Sequence, residues 1–264
     1  MRERGSSCMS SDSAKHIHIV WFKRDLRLRD HQPLADALKS AAKSGHAVLL
    51  LHVFEAADLT HATTSNRHLQ FRWQAWASMQ KEVADLGWPV CVESIQTDAL
   101  ACFDWLRKEF IVQGIYSYEE TGLHHTHARD KAVQAWCNRN EINWIETPQQ
   151  AVERGRRSRV GWATKWHATM QAELIRPISL LEMQGIMEFT IPWPKQFAAV
   201  DCPAVDHEKD PGLMGPFQMG GERDAHRYMR SFFEGRVKGY RRQIGQPLAS
   251  RQSCSRLSTY LAWG

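Results

Sequence analysis

Three stretches carry residue types and spacings that suit chemistry. At the far end, Ser250–Gly264 reads SRQSCSRLSTYLAWG, small hydroxyl residues leading into an apolar run. Hydroxyls and free backbone N–H groups at a helix start bind anions, phosphate above all, and gain from the helix dipole. Near the other end, KRDLRLRDH (Lys23–His31) is a charged loop directly after an apolar run. Its plainest reading is an Arg–Asp network that fixes the loop or docks a second unit, with direct ligand contact as the alternative. The third stretch, EETGLHHTH, gathers His124, His125 and His127. Their spacing matches neither HExxH nor a Cys/His zinc pattern, so capping or solvated roles are expected and no metal site.

The basic residues bunch late, at Arg154, Arg156, Arg157 and Arg159, then at Arg223, Arg227, Arg230, Arg236, Lys238, Arg241 and Arg242. A solvated face and phosphate contact explain such a run equally well. The formal net charge of +5 over 264 residues permits a nucleic-acid partner without demanding one. Six scattered cysteines form no C-x-x-C pair, which fits a reducing cytoplasm and gives no support to a zinc site or disulfide framework. No apolar run approaches the roughly 18 residues of a membrane span. Residues 1–14, basic and Ser-rich without an apolar h-region, read as a disordered leader, with a transit peptide as the alternative and Met9 as a possible second start. Eleven tryptophans are many, and core packing is their first explanation.

The elements that position these groups alternate strand and helix from His16 to about Thr147. HIHIVWF, HAVLLLHVF, PVCVESI, GIYSY and INWIET read as five strands. The second is nearly continuous in apolar residues, the pattern of a strand buried on both faces. Helical patterns lie between them, the first with Pro33 near its start and Gly45 at its stop. The alternation predicts an α/β fold, a five-stranded parallel doubly wound (Rossmann-like) sheet, over 15–148. A proline-rich connector with helical pieces such as GWATKWHATMQAEL follows over 149–219. It contains Pro177, Pro192, Pro194, Pro203, Pro211 and Pro216. From Gly220 a helical pattern resumes, with Ala225, Tyr228, Met229, Phe232 and Phe233 able to share one face. Neither G-x-G-x-x-G nor a P-loop follows the first strand.

IVWFKRDLRLRDHQPLADAL resembles the opening signature of the DNA photolyase/cryptochrome family, and RHLQF, ARDKAV and GY…SCSRLSTYLAWG fall in that family's order. The resemblance runs from about His16 to Gly264 and is thin between Pro148 and Met219. It implies an antenna domain over 15–148, a connector over 149–219, and over 220–264 the first, incomplete part of an all-helical FAD-binding domain. It moves the nucleotide from the sheet to the helices. Tyr240 matches the family's flavin-phosphate tyrosine, and Cys254, Ser255, Arg256, Leu257 and Ser258 match its Thr-Ser-x-Leu-Ser segment. Cys254 replaces a threonine there, and a thiol is a weaker hydrogen-bonding group. His31 replaces the family's usual asparagine, with only local hydrogen bonding expected of it. Thr126 stands at an acidic position of folate-binding relatives, so a folate antenna, a deazaflavin or none stays open. Trp21, Trp136 and Trp144 are expected in the core.

For an intact relative the resemblance implies a light-driven lyase acting on pyrimidine dimers flipped out of damaged DNA. The chain is expected to be a cytoplasmic monomer without a membrane partner, C-terminally truncated, with repair and tight FAD binding lost and no catalytic residue assigned. The alternatives are a cryptochrome-type blue-light receptor, a stand-alone α/β module without flavin, and a fragment retaining only the α/β domain.

Overall fold

The computed structural model describes residues 15–202 and 217–264. The leader expected over 1–14, and Pro203, Pro211 and Pro216, lie outside them. β1 (His16–Phe22), β2 (Ala47–Phe54), β3 (Cys91–Gln96), β4 (Ile111–Tyr118) and β5 (Trp144–Thr147) build one parallel sheet. A short β6 (Ala198–Ala199) adds antiparallel to β3, giving the order β5-β4-β1-β2-β3-β6. β1 is central, with β2 on one side and β4 on the other. That reversal of strand order is where open α/β sheets form a crevice at their carboxyl ends.

Residues of β1 and β2 alternate between two cores. Val20, Phe22, Val48 and Leu50 face α1 (Gln32–Ser44) and α3 (Asn66–Leu86), where Leu34, Leu38, Trp76 and Met79 meet them. Ile17, Ile19, Trp21, Leu49 and Leu51 face α4 (Ala99–Glu109) and α5 (His124–Arg139), against Phe103, Leu106, Val133 and Trp136. Each buried Leu, Ile or Phe side chain contributes about 1.5–3 kcal/mol, so both helical layers are needed to hold strands this apolar. Helix ends follow local chemistry. The Nδ1 of His31 accepts the Leu34 N–H at 3.1 Å, Pro33 lies in the first turn of α1, and Gly45 closes it at φ 70°. α2 (Ala56–Leu59) is a single turn leading into α3.

The connector is a belt. Ile178, Met183 and Ile186 pack on the α1/α3 face. The Met187 N–H then donates to the His46 carbonyl at 3.1 Å, just before β2. Beyond it, Met187, Phe189, Ile191, Trp193 and Phe197 pack on the α4/α5 face. The one helix among its described residues, α6 (Trp162–Met170), is exposed along its whole length. The last part contains α7 (Glu222–Ser231), a π-helical turn (Phe232–Arg236), α8 (Val237–Gln243), α9 (Pro247–Ser253) and α10 (Ser258–Trp263). The apolar face expected from Ala225 to Phe233 is not buried: Met229 is 39% and Phe233 68% exposed. The π turn begins at Phe232 and shifts the helical register there. No helix among the described residues is long and apolar enough to cross a membrane.

Candidate ligand site at the strand ends

The loop after β1 is held from within. Asp25 and His31 have no exposed side-chain surface, and His31 Nε2 donates to Asp25 Oδ2 at 2.6 Å. The Lys23 N–H donates to Asp25 Oδ1 at 2.7 Å. Lys23 Nζ, also buried, bridges Asp130 at 3.1 Å and Glu146 at 3.5 Å. Arg154 pairs with the same two carboxylates, so the first arginine of the late basic run serves structure.

The same loop docks the C-terminal helices, as its sequence led us to expect. The Leu26 N–H donates to the Trp263 carbonyl at 2.7 Å, and the Leu28 N–H to Glu222 Oε2 at 3.2 Å. Arg29 bridges Glu222 and Glu82. Gly220 allows close approach to α3: a Cβ there would lie 1.9 Å from the Phe71 carbonyl oxygen.

Between these parts lies a cavity of about 690 Å³. Trp21, Phe22, Lys23 and Arg24 line it from β1 and its loop, Arg67 and Arg72 from α3, Arg129 from α5, and Arg251, Arg256, Ser258 and Trp263 from the C-terminal helices. Arg72 donates to His52 Nε2 at 2.7 Å, to Asp58 at 2.7 Å and to the Val53 carbonyl at 3.1 Å. Since His52 Nε2 accepts, its Nδ1–H donates to the Phe22 carbonyl at 2.8 Å. Burial, then the neighbouring Arg72, lowers the His52 pKa to about 3, so the ring stays neutral. Burial works against charge on Asp58 too, yet Arg72 and His125 hold its carboxyl below the usual range. Arg129 bridges Glu55 at 2.7 Å and Asp130 at 2.8 Å. Among the described residues, Arg24, Arg67, Arg251 and Arg256 have no carboxylate partner. Asp58 and Glu120 are the only acids among the described lining residues, so the cavity favours an anion.

The residues matched to the flavin-phosphate segment divide. Arg256 and Ser258 reach the cavity. Arg256 adopts φ 59°, its carbonyl accepts from Gln218 Nε2 at 2.7 Å, and its Nε donates to Gln218 Oε1 at 3.2 Å. The carbonyls of Cys254 and Ser255 accept from Arg236. Among the described residues, the hydroxyls of Ser255 and Ser258 have no hydrogen-bond partner. Leu257 caps α10, while Tyr240 packs edge-on to Phe232 and lies outside the cavity lining. In the histidine stretch, His125 Nε2 pairs with Asp58 at 3.0 Å and its ring stacks on His61. No group of three or more His, Cys, Asp or Glu among the described residues has the geometry of a metal site. Trp136 and Trp144 are core residues as expected, and Trp21 is both core and cavity wall.

A parallel doubly wound sheet with an anion-favouring cavity at its carboxyl ends, covered by a helical segment, defines an α/β unit with a candidate ligand site. The DNA photolyase family model matches residues 18–154, more than half of the chain, and the chain belongs to that family. A stretch of 78 residues is 30% identical to the deoxyribodipyrimidine photo-lyase of Neurospora crassa, covering 30% of this chain and 13% of that protein. A bacterial class III photolyase from Agrobacterium tumefaciens shares the fold with a TM-score of 0.64 at 18% identity, over 97% of this chain and 52% of that one. A Synechocystis cryptochrome matches with a TM-score of 0.64 at 17% identity, over 95% of this chain and 53% of that one. An archaeal photolyase from Sulfolobus tokodaii, whose structure holds two FAD molecules, matches with a TM-score of 0.62 at 17% identity, over 94% of this chain and 52% of that one. The chain thus spans about half the length of the structures it resembles.

Proposed function

We propose that this chain supplies the chromophore-facing part of a photolyase/cryptochrome-type flavoprotein whose whole form repairs pyrimidine dimers in DNA with light. In this reading 15–148 is the antenna domain, 149–219 the connector and 220–264 the start of the FAD-binding domain. The observation that carries it is the convergence of four unpaired guanidiniums with Ser258 on one cavity between the sheet and the helices. Arg256 and the Ser258 hydroxyl suit phosphate oxygens of FAD, while Arg24 and Arg67 suit an anionic antenna chromophore, a folate or a deazaflavin. Bound flavin supplies light absorption and one-electron chemistry. The chain's own residues supply cations, hydroxyl donors and a wall that excludes water. Tyr240, Cys254, Ser255 and Leu257 have the weaker claim, since none of them lines the cavity.

Titrating the purified chain with FAD, read by flavin fluorescence anisotropy, tests this. Weak but saturable binding is expected. Arg256→Ala with Ser258→Ala should weaken it at least about tenfold, the worth of one charge-assisted hydrogen bond. The reading fails if binding does not saturate or if the double variant binds as tightly as the parent.

A further inference from the structure

The cavity has a second property that its charge alone does not explain. Of the side chains that lose an electron readily, only two line it: Trp21 and Trp263, with no tyrosine, methionine or cysteine among the described lining residues. Each has two cations against its ring. Lys23 Nζ lies 4.9 Å and the Arg129 guanidinium 4.8 Å from the Trp21 ring centre. The guanidiniums of Arg24 and Arg72 both lie 5.1 Å from the ring centre of Trp263. Four such contacts thus meet at the two oxidisable residues of one cavity. They also come from three separate elements: the β1 loop, α3 and α5.

Removing an electron from an indole puts a positive charge on the ring. A fixed cation about 5 Å away opposes that charge unless a carboxylate neutralises it, as Asp130, Glu146 and Glu55 do for the two cations at Trp21. An excited ligand ring beside an indole has a half-empty orbital. One electron leaves the indole, the ligand gains it, and the excitation is lost when the electron returns. No bond or proton need move. Raising the potential of the indole shuts this route.

We infer that Arg24, the one of these four cations without a carboxylate partner among the described residues, holds Trp263 against oxidation, so that a light-absorbing ligand in the cavity keeps its excitation. This rests on the chromophore reading above. Arg24 is the position to test. It has no ion-pair partner among the described residues, so its loss leaves the buried network intact.

Two measurements on the whole chain separate this inference from the chromophore reading. In the first, without ligand, a soluble ruthenium polypyridyl complex is excited in the presence of persulfate. The ruthenium(III) formed takes an electron from tryptophan, and the tryptophan radical is followed by transient absorption. Arg24→Met should speed radical formation about tenfold, and Trp263→Phe in that background should return it to the parental rate. Equal rates in the parent and Arg24→Met overturn the inference. In the second, FMN, a planar absorber carrying a phosphate, is the probe and its excited-state lifetime is read. With FMN bound, the lifetime should shorten in Arg24→Met and recover in the double variant. An unchanged lifetime with FMN bound also overturns the inference. If anisotropy shows no FMN binding by the parent chain, that counts against the chromophore reading, and the first measurement still decides the redox question. A purely structural cation–aromatic contact would shift the melting temperature and leave both readouts unmoved.

Discussion

His31 Nε2 donates to Asp25 Oδ2 at 2.6 Å, and neither side chain has exposed surface. One imidazole thereby does two jobs, since its Nδ1 also caps α1 by accepting the Leu34 N–H. The tautomer is fixed: Nδ1 bare, Nε2 protonated. Burial disfavours charge on both groups. The hydrogen bond from His31 and that from the Lys23 amide nevertheless hold the Asp25 carboxyl below its ordinary range, while burial holds the imidazole neutral. His31→Leu removes the cap and strands a buried carboxylate, and should cost about 3–5 kcal/mol. His31→Asn, the residue usual in the family, can accept at the cap and donate to Asp25, and should recover most of that loss. Urea denaturation of the two variants measures the difference.

Lys23 predicts a different outcome. Its ammonium neutralises Asp130 and Glu146 from inside the protein. Lys23→Met keeps the stem and loses the charge. Arg154 and Arg129 still reach Asp130, so the loss should be about 2–3 kcal/mol, below that of an isolated buried pair. Lys23→Met with Asp130→Asn should be less destabilised than the sum of the two singles, a coupling that a double-mutant cycle reads directly.

The sheet was legible in the sequence because its signals are local. The apolar run of β2 requires cover on both faces, and Pro33 and Gly45 bracket α1. The cavity was not legible, because its residues look ordinary one at a time. Alternation along β1 sends Trp21 to the core, which is correct, and says nothing of Arg129 stacking on it from α5. Arg72 sits in a helix with the composition of a surface arginine. It is buried because His52 and the Val53 carbonyl from β2 and Asp58 from α2 meet it once the chain folds back on these two preceding elements. The terminal segment pointed to an anion and brought Arg256 and Ser258 to the cavity, yet sequence spacing could not show Tyr240 turned toward Phe232.

Gly220 separates the stability of the docked helices from that of the sheet. A methyl group at this position meets the Phe71 carbonyl and the Ala75 amide, both backbone, so neither can yield cheaply. Gly220→Ala should cost about 1–3 kcal/mol by overpacking. The loss should fall on docking. Hydrogen exchange in α7 and α10 should rise, while β1 and β2 stay protected. Equal loss of protection in β2 would count against a separable docked segment.

The histidines set the acid limit of the fold. At the amino end of the sheet, His18 Nε2 and His46 Nδ1 are 3.3 Å apart and share one proton, and Tyr116 OH meets His18 Nδ1 at 3.3 Å. The rings of His16 and His46 stack at 4.9 Å, and Gln113 bonds His16. Burial, then the charge of His46, lowers the His18 pKa to about 4, and burial with Arg72 lowers that of His52 to about 3. Both folded values lie below the unfolded value of about 6.5, so the unfolded chain binds more protons in between. Stability is therefore fully present above pH 6.5. It falls as pH drops toward 4 for His18 and toward 3 for His52, at up to about 1.4 kcal/mol per pH unit for each ring. The melting temperature should accordingly decline between pH 6 and pH 4.5. His18→Gln, which keeps a hydrogen bond and cannot titrate, should flatten that decline by about one proton. A melting profile just as steep in His18→Gln would remove His18 from the acid response.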